Sequence, residues 1–226
     1  MRKIHGKLVC ESVEEVLNPE WTAVLAIDLQ KGFMLPGGSV DKAGGDISAM
    51  VELIPKCVEF LAAARGRGIR IVHVRWVDLP DGASDSPAWL RSKGLMTGTT
   101  EFALEGSWDA EFVAGCEPLP GEPVVTKHRS SAFTGTNLEQ LLRATGVQAV
   151  ALIGEQTPGC IEATFRDAAY RDFYNVLIED RIAARDPELH EASLKVQRAR
   201  HDVITAEKAL SIWDGYRAGR LLPPNP

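Results

Sequence analysis

Apolar residues recur along this chain in two alternating periods. AVLAID (Ala23 to Asp28) is apolar on both parities and closes on a lone carboxylate, the pattern of a strand covered on both faces. Between Ile47 and Gly66 the apolar positions Met50, Val51, Ile54, Val58, Leu61 and Ala62 return at helical spacing, and Gly66 and Gly68 close the run. RIVHVRW (Arg70 to Trp76) alternates as a second strand, and PVVTK (Pro123 to Lys127) reads as a third. Asn137 stands as the N-cap of NLEQLLRATG, a helix that stops at Gly146. AVALIGE (Ala149 to Glu155) is another buried strand. A helix from about Cys160 to Arg171, strand NVLIED (Asn175 to Asp180), a helix from Pro187, strand DVIT (Asp202 to Thr205) and helix AEKALSIW complete the series.

Strands alternating with helices at this spacing predict an α/β fold: a three-layer α/β/α domain on a mostly parallel, six-stranded, Rossmann-like sheet. The reading is of a single domain over residues 1–226, with its core at about residues 20–212. Leu79 to Gly121 is rich in Gly, Pro and Ser and has no long period. It reads as an excursion with one short helix, suited to a lid or an oligomer contact. The tail LLPPNP reads as disordered or extended.

Composition narrows the function. With 25 Lys and Arg against 31 Asp and Glu the net charge is −6, and there is no basic stripe to neutralise phosphates, so nucleic acid is not an expected partner. No apolar run approaches the roughly 20 residues of a membrane span. The start, MRKIHGKLVCESVEE, lacks the apolar core of a secretory signal, so a cytoplasmic protein is expected. Cys10, Cys57, Cys116 and Cys160 form no C-x-x-C pair, which leaves room for one reactive thiol among inert ones.

In a parallel sheet the carboxyl ends of the strands line one edge, where ligands bind. Asp28 ends the first strand, Lys127 ends the third, and Cys160 follows the strand that ends at Glu155. An acid, an ammonium and a thiol converging there make a nucleophile with two charged partners. The cation favours the thiolate, and the carboxylate can take the thiol proton and return it to a leaving amine. Cys160 also reads as opening a helix, whose N-terminal amides would lower the thiol pKa and suit an oxyanion.

Three segments carry a resemblance: TAVLAIDLQKGF (Thr22 to Phe33), VVTKHRSSAFTGTNLEQLL (Val124 to Leu142) and VALIGEQTPGCIEATFRDAAYRDFYNVLIEDRIAA (Val150 to Ala184). In order and interval they resemble the isochorismatase-like cysteine hydrolases, in their amidohydrolase branch. The resemblance implies an Asp28–Lys127–Cys160 triad and a cis peptide between Glu155 and Gln156. It also implies an oxyanion hole from the Gln156 and Cys160 N–H groups. The reaction it implies is cleavage of a small amide, carbamoyl or ureido substrate through a thioester, by a homodimer or homotetramer. No cofactor is expected. No D-x-H pattern is present, so no metal site is expected either. The Thr-Asp that usually precedes the cysteine is replaced here by Thr157-Pro158-Gly159. The alternatives are vinyl ether hydrolysis of the isochorismate type, or a binding protein on the same fold.

Phe33, Gln30, Trp76, His128 and Phe133 are the expected substrate-binding residues, with Gln30 better suited to supporting its loop and Phe33 and Phe133 equally suited to the core or a dimer interface. His128 and Arg129 are equally suited to pairing with acids. Glu162, Arg166 and Asp167 read as a salt-bridged helix face. Asp28→Asn and Lys127→Ala are expected to reduce turnover and leave the fold intact.

Overall fold

The computed structural model describes residues 1–221, so the expectation for the tail falls almost wholly outside the described residues. The chain opens on a hairpin of β1 (Arg2–Ile4) and β2 (Lys7–Val9), then α1 (Val13–Val16). The first buried strand, β3 (Thr22–Ile27), is followed by two single turns, α2 (Lys31–Met34) and α3 (Ser39–Lys42), and by the long α4 (Ser48–Arg65). Next come β4 (Arg70–Trp76), α5 (Pro87–Thr97), β5 (Val124–Lys127), α6 (Leu138–Ala144) and β6 (Ala149–Glu155). The series ends with α7 (Glu162–Ala169), β7 (Tyr174–Ala183), α8 (Pro187–Arg198), β8 (Asp202–Ile204) and α9 (Ala206–Arg217).

Six strands form one sheet in the order β5-β4-β3-β6-β7-β8, every pair parallel. The period of two along β3 divides the core. Val24 and Ala26 pack on the face covered by Met50, Phe60 and Leu61 of α4 and Trp213 of α9. Ala23, Leu25 and Ile27 pack on the opposite face with Leu138 and Leu142 of α6 and Phe165 of α7. A helix on each side of a central parallel strand is the three-layer arrangement that the alternation predicts.

The chain winds outward from β3 to β4 and β5, then returns to place β6 on the other flank of β3. This reversal opens a crevice at the carboxyl ends of β3 and β6. Gly154 lets β6 reach it. Its φ is +118°, and a Cβ there would stand 2.0 Å from the Ile27 carbonyl oxygen, so no other residue fits against β3. The pairing of β6 with β7 shifts register between Leu152 and Gly154, which turns the end of β6.

Two local expectations are corrected. Asn137 holds the N-cap position of α6 but makes no side-chain cap; the Thr136 hydroxyl accepts from the Leu138 N–H at 3.2 Å instead. Cys160 does not open a helix. Thr157–Ile161 form a wide turn with Gly159 outside helical angles, the Ile161 N–H reaches back to the Gln156 carbonyl, and α7 starts only at Glu162. Asp186 caps α8, its carboxylate accepting from the Glu188 and Leu189 N–H groups, with Pro187 at the first helical position.

Candidate active site

Asp28 follows β3 with φ of +55°, a conformation that Asp tolerates better than most side chains. Lys127 is the last residue of β5, and Cys160 lies in the turn after β6. These elements bring the three side chains together. The Lys127 Nζ stands 2.8 Å from Asp28 Oδ2, donates to Cys160 Sγ at 3.2 Å, and lies 4.2 Å from the centre of the Trp76 ring. Asp28 and Lys127 are fully buried, whereas Cys160 is half-buried and opens on a cavity of about 790 Å³.

The charges of this cluster are coupled. Burial raises the Asp28 carboxyl and outweighs the nearby Lys127 ammonium. Burial alone would lower Lys127, but Asp28 and Cys160 beside it reverse the direction and hold it up. Burial also pushes the Cys160 thiol well up, against the pull of Lys127 and with help from Asp28 and Glu155. The resting sulfur is therefore a thiol beside a cation, and it forms its anion only as its proton moves. Cys57 and Cys116 are fully buried, and burial pushes both thiols up, Cys116 to about 12, as for inert core cysteines.

The inner cavity is walled by Asp28, Phe33, Trp76, Phe102, Glu155 and Cys160. Phe102 meets the Phe33 ring edge-on at 5.7 Å and lies 5.2 Å from the Trp76 ring. Leu95, Met96, Arg185 and Leu189 stand nearer the mouth, so α5, the one long helix of the excursion, borders the cavity. Two buried ion pairs anchor that helix. Lys93 Nζ reaches Asp78 at 2.5 Å and Asp85 at 2.8 Å, and Asp78 also accepts from the Trp76 indole N–H at 2.8 Å.

Of the expected substrate-binding residues, Phe33 and Trp76 line the cavity and three do not. Gln30 is fully buried; its amide donates to the Trp76 and Ala110 carbonyls and accepts from the Trp76 N–H, so it ties β4 to its loop. The His128 ring bonds the Val77 carbonyl at 2.5 Å. Phe133 packs on Phe173 in the core of the opposite face. Arg129 donates to the Ser84 and His128 carbonyls and stacks on Trp89, and among the described residues neither it nor His128 pairs with an acid. Glu162 pairs with Arg166 and Asp167 with Arg171, as a salt-bridged face should.

The peptide between Glu155 and Gln156 is cis. The Gln156 side chain accepts from the Arg185 N–H at 3.0 Å, which fastens this turn to the end of β7. Glu155 was not singled out in the sequence, although a second acidic residue at a strand end carries the same signal as Asp28. Burial, then the charge of Asp28, push its carboxyl up to about 8 against Arg185 and Lys127. Phe102 lies in the excursion, where no periodicity marks it. Among the described residues no three His, Cys, Asp or Glu side chains are grouped to hold a metal ion, and no helix is long and apolar enough to cross a membrane.

A parallel α/β sheet with a thiol, an ammonium and a carboxylate at its switch point defines a class of small-molecule-binding α/β proteins whose chemistry sits at strand ends. The chain belongs to the isochorismatase family: the model of the isochorismatase domain matches residues 22–208. It is 34% identical over 203 residues to ureidoacrylate amidohydrolase RutB of Methylobacterium radiotolerans, covering 84% of this chain and 79% of the relative. A second ureidoacrylate amidohydrolase RutB, from Agrobacterium fabrum, is 34% identical over 73% of this chain and 76% of its own. Among solved structures, an isochorismatase family protein from Desulfovibrio vulgaris superposes with a TM-score of 0.71 at 32% identity, over 87% of this chain and 98% of the other. N-carbamoylsarcosine amidase from Thermoplasma acidophilum superposes with a TM-score of 0.64 at 27% identity, over 83% and 97%.

Proposed function

We propose that this chain is a cysteine-dependent amidohydrolase that cleaves a C–N bond of a small ureido, carbamoyl or amide compound. The observation that carries this reading is the double contact of Lys127, 2.8 Å from Asp28 and 3.2 Å from Cys160, with the sulfur facing the cavity. The names of the two RutB relatives and of the amidase structure point to the same bond class.

In this mechanism Asp28 takes the Cys160 proton as the sulfur adds to the substrate carbonyl carbon. The Gln156 and Cys160 N–H groups hold the resulting oxyanion. Asp28 then protonates the nitrogen, the C–N bond breaks, and ammonia or an amine leaves a thioester behind. Water adds to the thioester carbon as Asp28 accepts its proton, and the returning proton restores the thiol as the acid departs. Lys127 stays an ammonium throughout and offsets whichever neighbour is negative. The Arg185 guanidinium at the mouth, bonded to the Met96 carbonyl, suits a substrate that also carries a carboxylate.

Ammonia release measured across N-carbamoyl amino acids, a ureidoacrylate and simple amides tests the reading, with Cys160→Ala as the blank. Release by the parent protein and none by the variant is the expected result. Vinyl ether hydrolysis, by contrast, would survive that substitution, and silence of the parent protein on every amide and ureide would sink the proposal. The same reading makes the chain a homodimer or homotetramer. Leu95, Met96 and Leu189, exposed around the mouth, offer apolar surface for the contact, and light scattering measures the mass.

A further inference from the structure

Two carboxyl groups without full partners border the inner cavity on either side of the switch point. Asp28 Oδ1 has no hydrogen-bond partner among the described residues. Glu155, at the end of β6 and only 6% exposed, is acted on by burial and by the charges of Asp28, Arg185 and Lys127, with no hydrogen bond to its carboxyl among the described residues. An empty buried acceptor is costly, which holds for Asp28 Oδ1; the Glu155 carboxyl instead opens on the cavity, where an occupant that covers it must offer it a donor. We propose that Glu155 accepts a hydrogen bond from the N–H that remains on the acyl side of the substrate, so that the site selects ureides over simple amides. This rests on the amidohydrolase reading above and adds the substrate class to it.

The chemistry of the two substrate types decides between them. A ureido carbonyl carries N–H groups on both sides, whereas a simple amide carries nitrogen on one side only. With Cys160 on the carbon and Asp28 beside the departing nitrogen, the second nitrogen of a ureide falls to the other carboxyl that lines the cavity. A carboxylate there would set a second negative charge beside Asp28 and the reacting sulfur. A neutral Glu155 avoids this, and at neutral pH the proton is retained because burial and Asp28 push the group up to about 8. The other groups facing it are Lys127 at the end of β5, Cys160 in the turn before α7 and Arg185 beyond β7; Asp46, Asp186 and Glu188 stand further out on the cavity wall.

The test compares N-carbamoylglycine with succinamic acid, which differ by one NH against one CH2. The parent protein prefers the ureide in kcat/KM, and its activity on it falls above about pH 8 as Glu155 ionises. Glu155→Val lowers that preference about tenfold, mainly through KM, the effect of one lost hydrogen bond. Glu155→Gln, which still accepts but does not ionise, restores most of the preference and removes the alkaline decline. A preference unchanged in Glu155→Val, or an alkaline decline unchanged in Glu155→Gln, overturns the proposal. If the parent protein turns over neither compound, Glu155 is judged by iodoacetamide alkylation of Cys160, and the amidohydrolase reading fails only if every other amide and ureide is also left intact. Faster alkylation above pH 8 in Glu155→Gln than in the parent supports a carboxyl facing the sulfur; equal rates overturn it.

Discussion

At the scale of single residues, Lys127 bears on stability as well as on the proposed chemistry. It is fully buried, and so is the carboxylate it neutralises. Lys127→Ala would remove the partner of a buried carboxyl that burial already raises, at a cost of up to about 3–5 kcal/mol, less as Asp28 takes up a proton. The sequence alone gave no sign of that burial, which adds a cost in stability to the loss of turnover expected of Lys127→Ala. A lowered urea midpoint is expected for Lys127→Ala, and adding Asp28→Asn, which removes the orphaned carboxyl, should recover part of it in a double-mutant cycle. Equal midpoints for the parent and Lys127→Ala would contradict this account. Asp28, Lys127 and Cys160 were legible because a parallel sheet gathers its strand ends, whichever helices cover it. Gln30 was readable as a support for its loop, but His128 and Phe133 were not placed, because nearness to a strand end does not say which way a side chain turns. Phe133 turns to the core beside Phe173, and Gln30 turns to the backbone of Trp76.

At the scale of elements, Glu122 joins three segments ahead of β5. It receives Arg65 of α4 through two bonds of 2.8 Å, the Leu119 N–H at 2.8 Å and the ring of His73 in β4 at 2.9 Å. Burial alone would raise its carboxyl, but the Arg65, Leu119 and His73 bonds outweigh that and pull it down to about 2. Its folded pKa lies below its unfolded one, so its contribution to stability is full above about pH 4.3 and is lost as pH falls toward about 2. Burial also lowers the His73 pKa, and this group likewise binds its proton more readily when unfolded, so its contribution too is lost on acidification. The urea midpoint should therefore drop steeply in acid, and Glu122→Gln should flatten the part of that decline below about pH 4.3. An unaltered acid profile in Glu122→Gln would remove the hub from the argument. The long helices and the longer strands were readable because each spans enough residues to show a period, and the short β5 and β8 because they take their turn in the strand–helix alternation. The four-residue α2 and α3 and the three-residue β1 and β2 are too short to show one.

At the scale of the whole molecule, the winding order places β3 and β6 side by side, and the excursion between β4 and β5 supplies part of the wall. That excursion was readable as an insertion but not as a wall, since its anchor is a tertiary one: Lys93 against Asp78 and Asp85. The indole of Trp76 joins the two regions. Its N–H is held by the same Asp78 that grips Lys93, and its face lies 4.2 Å from the Lys127 ammonium. A guest seated in the cavity shares the ring's surroundings, and an indole's emission follows its surroundings. The protein thus carries its own optical gauge of occupancy: titrating N-carbamoylglycine into Cys160→Ala should change tryptophan fluorescence saturably, and Trp76→Phe in the same background should abolish the signal.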